Sequence, residues 1–154
     1  MMLEEVFGDL LAANVEALVN AVNTVGMMSQ GVSLTFKQKF PDNFDAYRRA
    51  CEAGELTPGR MFIVDRGAQM SPRWIINFPT KQHWSDPSRV EDIRAGLVDL
   101  VEQLRARGIR SVAVPALGCG MGGLSWPEVK PMIADAFYNS TDVHVMVYPP
   151  RGAR

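Results

Sequence analysis

Lys81 is the residue whose neighbours best suit it to do chemistry. It lies in the segment Asn77–Trp84, NFPTKQHW, after an apolar run and Pro79. A lysine held at the end of a buried strand, beside an aromatic ring, loses hydration, and desolvation lowers the pKa of an ammonium group. The neutral amine that results is a nucleophile or a base. The alternative is a solvated loop lysine, with His83 and Trp84 as packing residues.

A glycine-rich segment, Ser111–Glu128, is the second candidate. Its sequence, SVAVPALGCGMGGLSWPE, indicates a strand, a loop with four glycines and the start of a helix. Such a loop has little side-chain bulk, so its amides can approach an oxyanion or a diphosphate. The letters fit the dinucleotide fingerprint over Gly118–Gly123, but Ser125 and Pro127 place the helix start after the glycines rather than at them. We therefore expect phosphate or sugar binding without a dinucleotide fold, the alternative being a flexible surface turn.

Polar side chains that suit a sugar or a base follow two other apolar runs. Asn20 and Asn23 lie in NAVNTVGMMSQGVSLTF, and an asparagine amide offers both donors and an acceptor to sugar hydroxyls. The alternative is that both amides bond local turns. Asp9, in Gly8-Asp9-Leu10, can accept from an exocyclic amine or cap a helix, and taken alone the cap is favoured.

The pattern of apolar residues predicts strands interleaved with helices. Strands are expected at Val15–Val22, Met61–Val64, Trp74–Phe78, Ser111–Val114 and Val143–Tyr148. Helices are expected near Val32–Lys39, Asp42–Ala53, Val90–Arg107 and Trp126–Tyr138, with capping boxes at Ser88/Glu91 and Ser125/Glu128 before the last two. This alternation is typical of an α/β fold with helices on the faces of a mixed sheet.

Composition excludes several classes of protein. The 154 residues suit one domain, and 16 Lys+Arg against 17 Asp+Glu leave no excess of basic side chains for gripping duplex phosphates. Cys51 and Cys119 cannot form a disulfide framework, and His83 and His144, the two histidines, lack zinc spacing. No metal or cofactor is therefore expected. Because the sequence has neither a signal-peptide pattern nor a long apolar run, we expect a cytoplasmic protein.

Taken in chain order, these segments resemble a macrodomain, a three-layer α/β/α sandwich with a mixed central sheet that binds ADP-ribose. A narrower resemblance is carried by VNTVGMMSQGVSLTFKQKFPDNF, INFPTKQHW and PALGCGMGGLSWPEVKPMI. These are similar to the macrodomain of the DarG-type DNA ADP-ribosyl glycohydrolase antitoxins, and INFPTKQHW is the most specific part. The resemblance implies removal of ADP-ribose from thymidine in single-stranded DNA, without a cofactor. It also implies a partner, the DNA ADP-ribosyltransferase toxin.

The resemblance implies a role for each matching residue. Lys81 matches the lysine regarded as catalytic in this family. Asp9 matches the aspartate that reads the adenine amino group, with Leu10 beside it, and Tyr148 falls where an aromatic ring stacks on adenine. The residues implied around the diphosphate and the distal ribose are Asn20, Asn23, Gly31, Val32, Thr80, Leu117, Gly118, Cys119, Gly120, Met121 and Gly122.

Two positions depart from the family pattern. Relatives often have GKG where this sequence has Ser29-Gln30-Gly31, so a loop lysine is missing and we expect lower phosphate affinity. Related terminal ADP-ribose glycohydrolases carry an acid where this sequence has Gly122, so a second catalytic carboxylate is not implied. The resemblance also implies a toxin-binding domain outside this sequence, so we expect residues 1–154 to be a single macrodomain, isolated from that domain, and a monomer.

The resemblance leaves the mechanism and some functions open. A neutral Lys81 would attack the anomeric carbon of the distal ribose or the aldehyde of the opened sugar, whereas a charged Lys81 would stabilise the leaving thymine. The other functions are a non-catalytic ADP-ribose reader, a hydrolase of another ADP-ribose ester and an interaction module. Trp84 and Arg73 are candidates for base stacking and phosphate contact with the DNA strand.

Overall fold

A computed structural model describes residues 2–29 and 31–151. The strands are β1 (Met2–Glu5), β2 (Ala17–Val22), β3 (Phe62–Asp65), β4 (Trp74–Pro79), β5 (Ser111–Pro115) and β6 (His144–Tyr148). The α-helices are α1 (Gly31–Lys39), α2 (Pro41–Glu52), α3 (Val90–Arg107) and α4 (Trp126–Ala136), and short 3-10 helices cover Leu10–Ala12 and Gly120–Gly122. The predicted strands lie within two residues of the observed ones.

The strands form one mixed sheet in the order β1-β6-β5-β2-β4-β3. All neighbours are parallel except β3, which runs antiparallel to β4. The last residues of adjacent strands stand opposite each other, Val22 beside Pro79 and Pro115 beside Tyr148. Five strands therefore end at the same edge of the sheet, called the carboxyl edge below, and the loops that follow them meet there.

Helices cover both faces of the sheet, because alternate residues of each strand point to opposite faces and both sets are apolar. Ala17 and Val19 of β2 belong to the cluster that includes the buried residues of α3 and α4. Leu18 and Val22 belong to the second cluster, with the buried residues of α1 and α2. The predicted α/β/α sandwich with a mixed sheet is confirmed.

The helix α3 begins and ends as predicted but is capped differently. Gly108 ends it in the left-handed conformation, with φ 66°, which glycine adopts without strain. Its N-cap is Arg89, which makes no side-chain cap bond, so the predicted capping box of Ser88 and Glu91 is wrong. Ser88 is instead buried in a long-range contact described below.

The helix α4 begins at the predicted residue and ends at Ala136, two residues early. Its N-cap is Ser125, but the serine side chain makes no cap bond, so only the position of this capping box was right. No helix in residues 2–29 and 31–151 combines the length and apolar character needed to cross a membrane.

Candidate functional site

The sequence-predicted site residues lie at the carboxyl edge, with one exception. Open α/β sheets bind ligands at this edge, outside the strand ends. The order along the edge is Tyr148 at the end of β6, Leu117, Gly118, Cys119, Gly120, Met121 and Gly122 after β5, Asn23, Gly31 and Val32 after β2, and Thr80 and Lys81 after β4; Asp9 and Leu10 follow β1. Asn20 is the exception, because it lies within β2.

Lys81 is held where the segment after β4, residues 80–88, contacts the loop after β2. We call these the lysine segment and the β2 loop (residues 23–29). The amide of Thr80 donates to the carbonyl of Val22 at 2.9 Å, and the amide of Thr24 donates to the carbonyl of Gln82 at 2.9 Å. Lys81 lies between these two bonds and its side chain is half-buried. The ion pairs of the described residues do not include Lys81, so no carboxylate of that part competes with a ligand for its amine.

Thr80, the residue before the lysine, is buried and bonds the end of β4 to β2. Its side chain is buried, 4% exposed. The hydroxyl donates to the carbonyl of Val22 at 3.4 Å, the same oxygen that its amide uses. The end of β4 is thereby fixed against β2, directly before Lys81.

The other end of the lysine segment is fixed to the loop after β5, residues 116–125, called the glycine loop below. The amide of Ser88 donates to the carbonyl of Gly122 at 2.9 Å. Ser88 is 6% exposed, and its buried hydroxyl has no hydrogen-bond partner in the described part of the chain. A Cβ placed on Gly122 would lie 2.5 Å from Oγ and 3.0 Å from Cβ of Ser88. The packing therefore leaves no space for a side chain at Gly122 unless Ser88 shifts.

The glycine loop is built on left-handed glycines. Gly118, Gly120 and Gly123 have φ values of 74°, 71° and 82°, a region that side chains strain to reach. The short helix Gly120–Gly122 leaves the amides of Gly120 and Met121 without partners inside that helix. Met121 is 71% exposed. Because α4 starts after the glycines, as the sequence predicted, the geometry is not that of a dinucleotide fold.

Cys119 contributes backbone to this loop but no reactive thiolate. Burial raises the pKa of its thiol to about 11, and Glu128 adds to the rise. Its sulfur lies 3.8 Å from the carbonyl oxygen of Leu117, and Leu117 itself is fully buried. The thiol is therefore neutral near pH 7 and a poor nucleophile.

Asn23 organises the β2 loop. Its Oδ1 accepts from the Tyr47 hydroxyl at 2.7 Å and from the amides of Val25 and Met27 at 3.2 and 3.3 Å. Its Nδ2 donates to the carbonyl of Met27 at 2.9 Å. The interpretation that this amide bonds a local turn is confirmed. Tyr47 is fully buried, and burial raises its pKa, so the hydroxyl stays a donor.

Asn20 lies beneath the β2 loop, two residues before β2 ends. It is fully buried beside Asn77, its register partner in β4. Its Nδ2 contacts Sδ of Met28 at 3.7 Å, while its Oδ1 has no partner among the described residues. Asn77 and Asn43 exchange amide hydrogen bonds at 2.9 and 3.1 Å. A contact of Asn20 with a ribose stays a prediction. In the structure the side chain of Asn20 contacts Met28 of the β2 loop.

The opposite end of the site joins Asp9 and Tyr148. The Oδ1 of Asp9 accepts from the amide of Leu11 at 3.0 Å and caps the helix Leu10–Ala12, so the favoured cap interpretation is confirmed. The carboxylate is exposed, whereas Leu10 is buried. Tyr148 is 7% exposed, and burial, followed by the charges of Asp9 and Glu4, raises the pKa of its hydroxyl. Asp9 and Tyr148 thus interact electrostatically at the β1–β6 end.

The start of α1 borders the same edge. Gly31 has φ 57°, the left-handed conformation, and opens the helix. Val32, which follows it, is 47% exposed. Gln30, the position of the missing loop lysine, lies outside the described residues.

The two candidates for DNA contact lie at opposite edges. Trp84 is in the lysine segment and 40% exposed. Arg73 precedes β4, so it lies at the amino-terminal edge, and it bonds both oxygens of Asp65 at 2.8 and 3.0 Å. That pairing holds the pKa of Asp65 at about 2. A phosphate contact of Arg73 with the DNA strand stays a prediction, and the fold places Arg73 at the opposite edge of the sheet from Lys81, because one precedes β4 and the other follows it.

Sequence reasoning missed two supporting residues. Tyr47 carries no local signal, since its contact with Asn23 joins a helix to a loop far away in sequence. Ser88 had a signal, but a serine ahead of a helix was read as a cap. Residues 2–29 and 31–151 contain no group of three or more His, Cys, Asp or Glu side chains placed to hold a metal ion.

Comparisons with known proteins agree with this fold. A family model described as Macro domain matches residues 19–133. A DNA ADP-ribosyl glycohydrolase of Thermus aquaticus is 54% identical over 149 residues, 97% of this chain and 41% of that protein. The macrodomain of Thermus aquaticus DarG is similar at TM-score 0.94 and 54% identity, over 97% of this chain and 99% of that one.

A further solved structure, Thermosipho africanus DarTG in complex with ADP-ribose, is similar at TM-score 0.88 and 34% identity. The similarity covers 98% of this chain and 43% of that chain. This chain spans about two fifths of the length of the curated glycohydrolase that it matches, 41%.

Proposed function

We propose that this chain, which belongs to the Macro domain family, is a DNA ADP-ribosyl glycohydrolase. Its substrate is ADP-ribose attached to thymidine in single-stranded DNA, and its action reverses the product of a DNA ADP-ribosyltransferase toxin. The observation that carries the proposal is the placement of Lys81. The lysine segment is bonded to the β2 loop at one end and to the glycine loop at the other. Lys81 is half-buried and has no ion-pair partner in the described chain, and the segment that carries it is bonded to the glycine loop at its other end, which supports the proposed role.

In this proposal ADP-ribose lies along the carboxyl edge in the order of the strands. Adenine would lie between Asp9 and Tyr148, the diphosphate along the glycine loop and the start of α1, and the distal ribose toward Lys81. Three steps separate β6 from β4, which is about 14 Å at a strand spacing of ~4.8 Å. A diphosphate linking two riboses spans a distance of this kind. Positioning by backbone amides of the glycine loop explains why the site needs few cations.

Lys81 supplies the reactive group in this proposal. The neutral amine attacks the anomeric carbon of the distal ribose, and thymine leaves with the bonding electron pair and takes up a proton. Water then hydrolyses the lysine adduct, which releases ADP-ribose and restores the amine. If the adduct forms through the opened sugar it is an imine, and cyanoborohydride would trap it with a mass gain on Lys81. A charged Lys81 that only stabilises the thymine anion gives no trapped adduct.

The test removes the amine. Lys81→Ala should abolish release of ADP-ribose from a thymidine-ADP-ribosylated single-stranded oligonucleotide, followed by mass, while titration calorimetry still detects ADP-ribose binding. Lys37→Ala, which removes an exposed lysine of α1, is the matched control and should leave release unchanged. Full release by Lys81→Ala would contradict the proposed role.

A second candidate is an ADP-ribose reader with the same site and no turnover. It is favoured by one observation, the absence of space for a carboxylate at Gly122. The same assay separates the two, because a reader leaves the mass of the oligonucleotide unchanged while it binds ADP-ribose.

A further inference from the structure

The tip of the lysine segment is a turn that presents Trp84. The amide of His83 donates to Oδ2 of Asp86 at 3.1 Å, and the amide of Asp86 donates back to the carbonyl of His83 at 3.0 Å. The amide of Ser85 donates to Nδ1 of the His83 ring at 3.2 Å, and the Ser85 hydroxyl lies 2.7 Å from the same atom. The turn is thus closed by its own side chains.

The turn is also fixed on both sides. Gln82, before it, accepts from the amide of Thr24, and Ser88, after it, donates to Gly122. The Trp84 ring is 40% exposed and lies 5.3 Å from the His83 ring. A large aromatic surface is therefore held in a defined place near Lys81 without being used in the core.

Trp84 is not an isolated exposed apolar residue. Ten large apolar side chains of the described chain are exposed. Six of them are in loops at the carboxyl edge or at the start of α1, namely Phe7, Val25, Met27, Val32, Trp84 and Met121. Scattered apolar residues need no explanation, but a concentration around one site marks a contact surface.

The loops beside Trp84 offer no charge to a phosphate. Residues 23–29 and 116–125 contain no Asp, Glu, Lys or Arg. A single strand that passes over these two loops therefore meets uncharged surface rather than cations. Aromatic side chains bind unpaired bases by stacking, with little dependence on sequence.

We propose that Trp84 is the stacking platform for a nucleobase adjacent to the modified thymidine, and that Asp86 holds the turn that presents it. This rests on the proposed function, because it names how the same site holds the DNA strand beyond the ADP-ribose. Stacking on one aromatic side chain contributes about a ten- to hundred-fold gain in binding.

The test compares two substrates, an ADP-ribosylated oligonucleotide and ADP-ribosylated thymidine monophosphate. Trp84→Ala should lower kcat/KM for the oligonucleotide about ten-fold or more and change it less than two-fold for the mononucleotide. Trp84→Phe should restore most of the loss, since a smaller ring still stacks. Tyr138→Ala is the matched control, because Tyr138 is 76% exposed and follows α4, away from the carboxyl edge.

Two results would contradict the proposal that Trp84 stacks on a base. An equal loss on both substrates means that Trp84 only supports the lysine segment, and no loss on either means that it binds no base. A wild-type protein that turns over neither substrate refutes the proposed function instead. In that case the stacking proposal is tested by binding alone. Fluorescence anisotropy of the uncleaved ADP-ribosylated oligonucleotide should show about a ten-fold weaker affinity for Trp84→Ala than for the wild type. The slope of log affinity against log salt should not change, because no phosphate contact is lost.

Discussion

A methyl group on Gly122 tests whether the contact between the lysine segment and the glycine loop positions the site. The φ of Gly122 is not in the left-handed region, so alanine fits the backbone there and the effect of the substitution is steric. The new Cβ would stand 2.5 Å from Oγ and 3.0 Å from Cβ of Ser88. Ser88 cannot move away freely, because its amide is bonded to the carbonyl of Gly122 at 2.9 Å.

The size of the effect follows from the distances. Ordinary contact begins at 3.4 Å, so relief of the 2.5 Å contact needs a separation of 0.9 Å, the difference of the two. Overpacking of this kind costs about 1–3 kcal/mol, and the stiffer unfolded chain of an alanine variant offsets about 0.4–1 kcal/mol. We expect a net loss of about 1–2 kcal/mol, and a fall in Tm of roughly 2–8 °C for a chain of this size. A shift of about 1 Å in catalytic geometry lowers rates about a hundred-fold. We therefore expect a large fall in the rate of ADP-ribose release beside a modest loss in the free energy of unfolding.

The assay measures Tm by calorimetry and ADP-ribose release well below the Tm. Ser88→Ala removes Oγ and leaves the 3.0 Å contact, so it should rescue Gly122→Ala in part. Ser88→Gly removes both atoms and should rescue it further. The double-mutant cycle gives the coupling between the two positions. Gly122→Ala with unchanged Tm and activity would refute the steric argument, as would a loss that Ser88→Gly does not reduce.

Two further substitutions test other contacts of the site. Tyr47→Phe removes the hydroxyl that donates to Asn23 at 2.7 Å. It should lower the free energy of unfolding by about 1 kcal/mol and weaken ADP-ribose binding several-fold. Tyr138→Phe is the control, and an unchanged Tm and affinity in Tyr47→Phe would contradict the role of its hydroxyl. Because burial raises the Cys119 pKa to about 11, its alkylation by iodoacetamide should be slow at pH 7 and rise about ten-fold per pH unit up to pH 10. Cys119→Ala should retain ADP-ribose release, and rapid alkylation at pH 7 would contradict the shift.

Local pattern predicted the elements well, because burial on a sheet and periodicity on a helix are written in neighbouring residues. The helix Val90–Arg107 was predicted with both ends correct. The predicted capping box ahead of it is wrong, because Arg89 is the N-cap and Ser88 packs against Gly122, to whose carbonyl its amide donates. A motif of two residues cannot report a contact made across the fold.

For the candidate site, the sequence predicted where residues lie better than it predicted which hydrogen bonds they make. The sequence placed Asn23 at a strand end, but only the fold reveals that Tyr47 and two amides occupy its Oδ1. For Arg73, strand polarity alone places the residue before Trp74 at the opposite edge of the sheet from the residues after Pro79. Roles inside the site stay predictions where they depend on a ligand.

The pairing of β1 with β6 has a consequence for synthesis of the chain. Met2 stands opposite His144 in a parallel pair, so the first strand waits for the last one to be translated before it has a partner. Until then Asp9 and Tyr148 cannot form their end of the site, although the strands that carry Lys81 and the glycine loop have already been translated. Such long-range pairing also slows folding. The proposed protection of DNA would therefore begin only when translation has passed β6, and a nascent or truncated chain would give none.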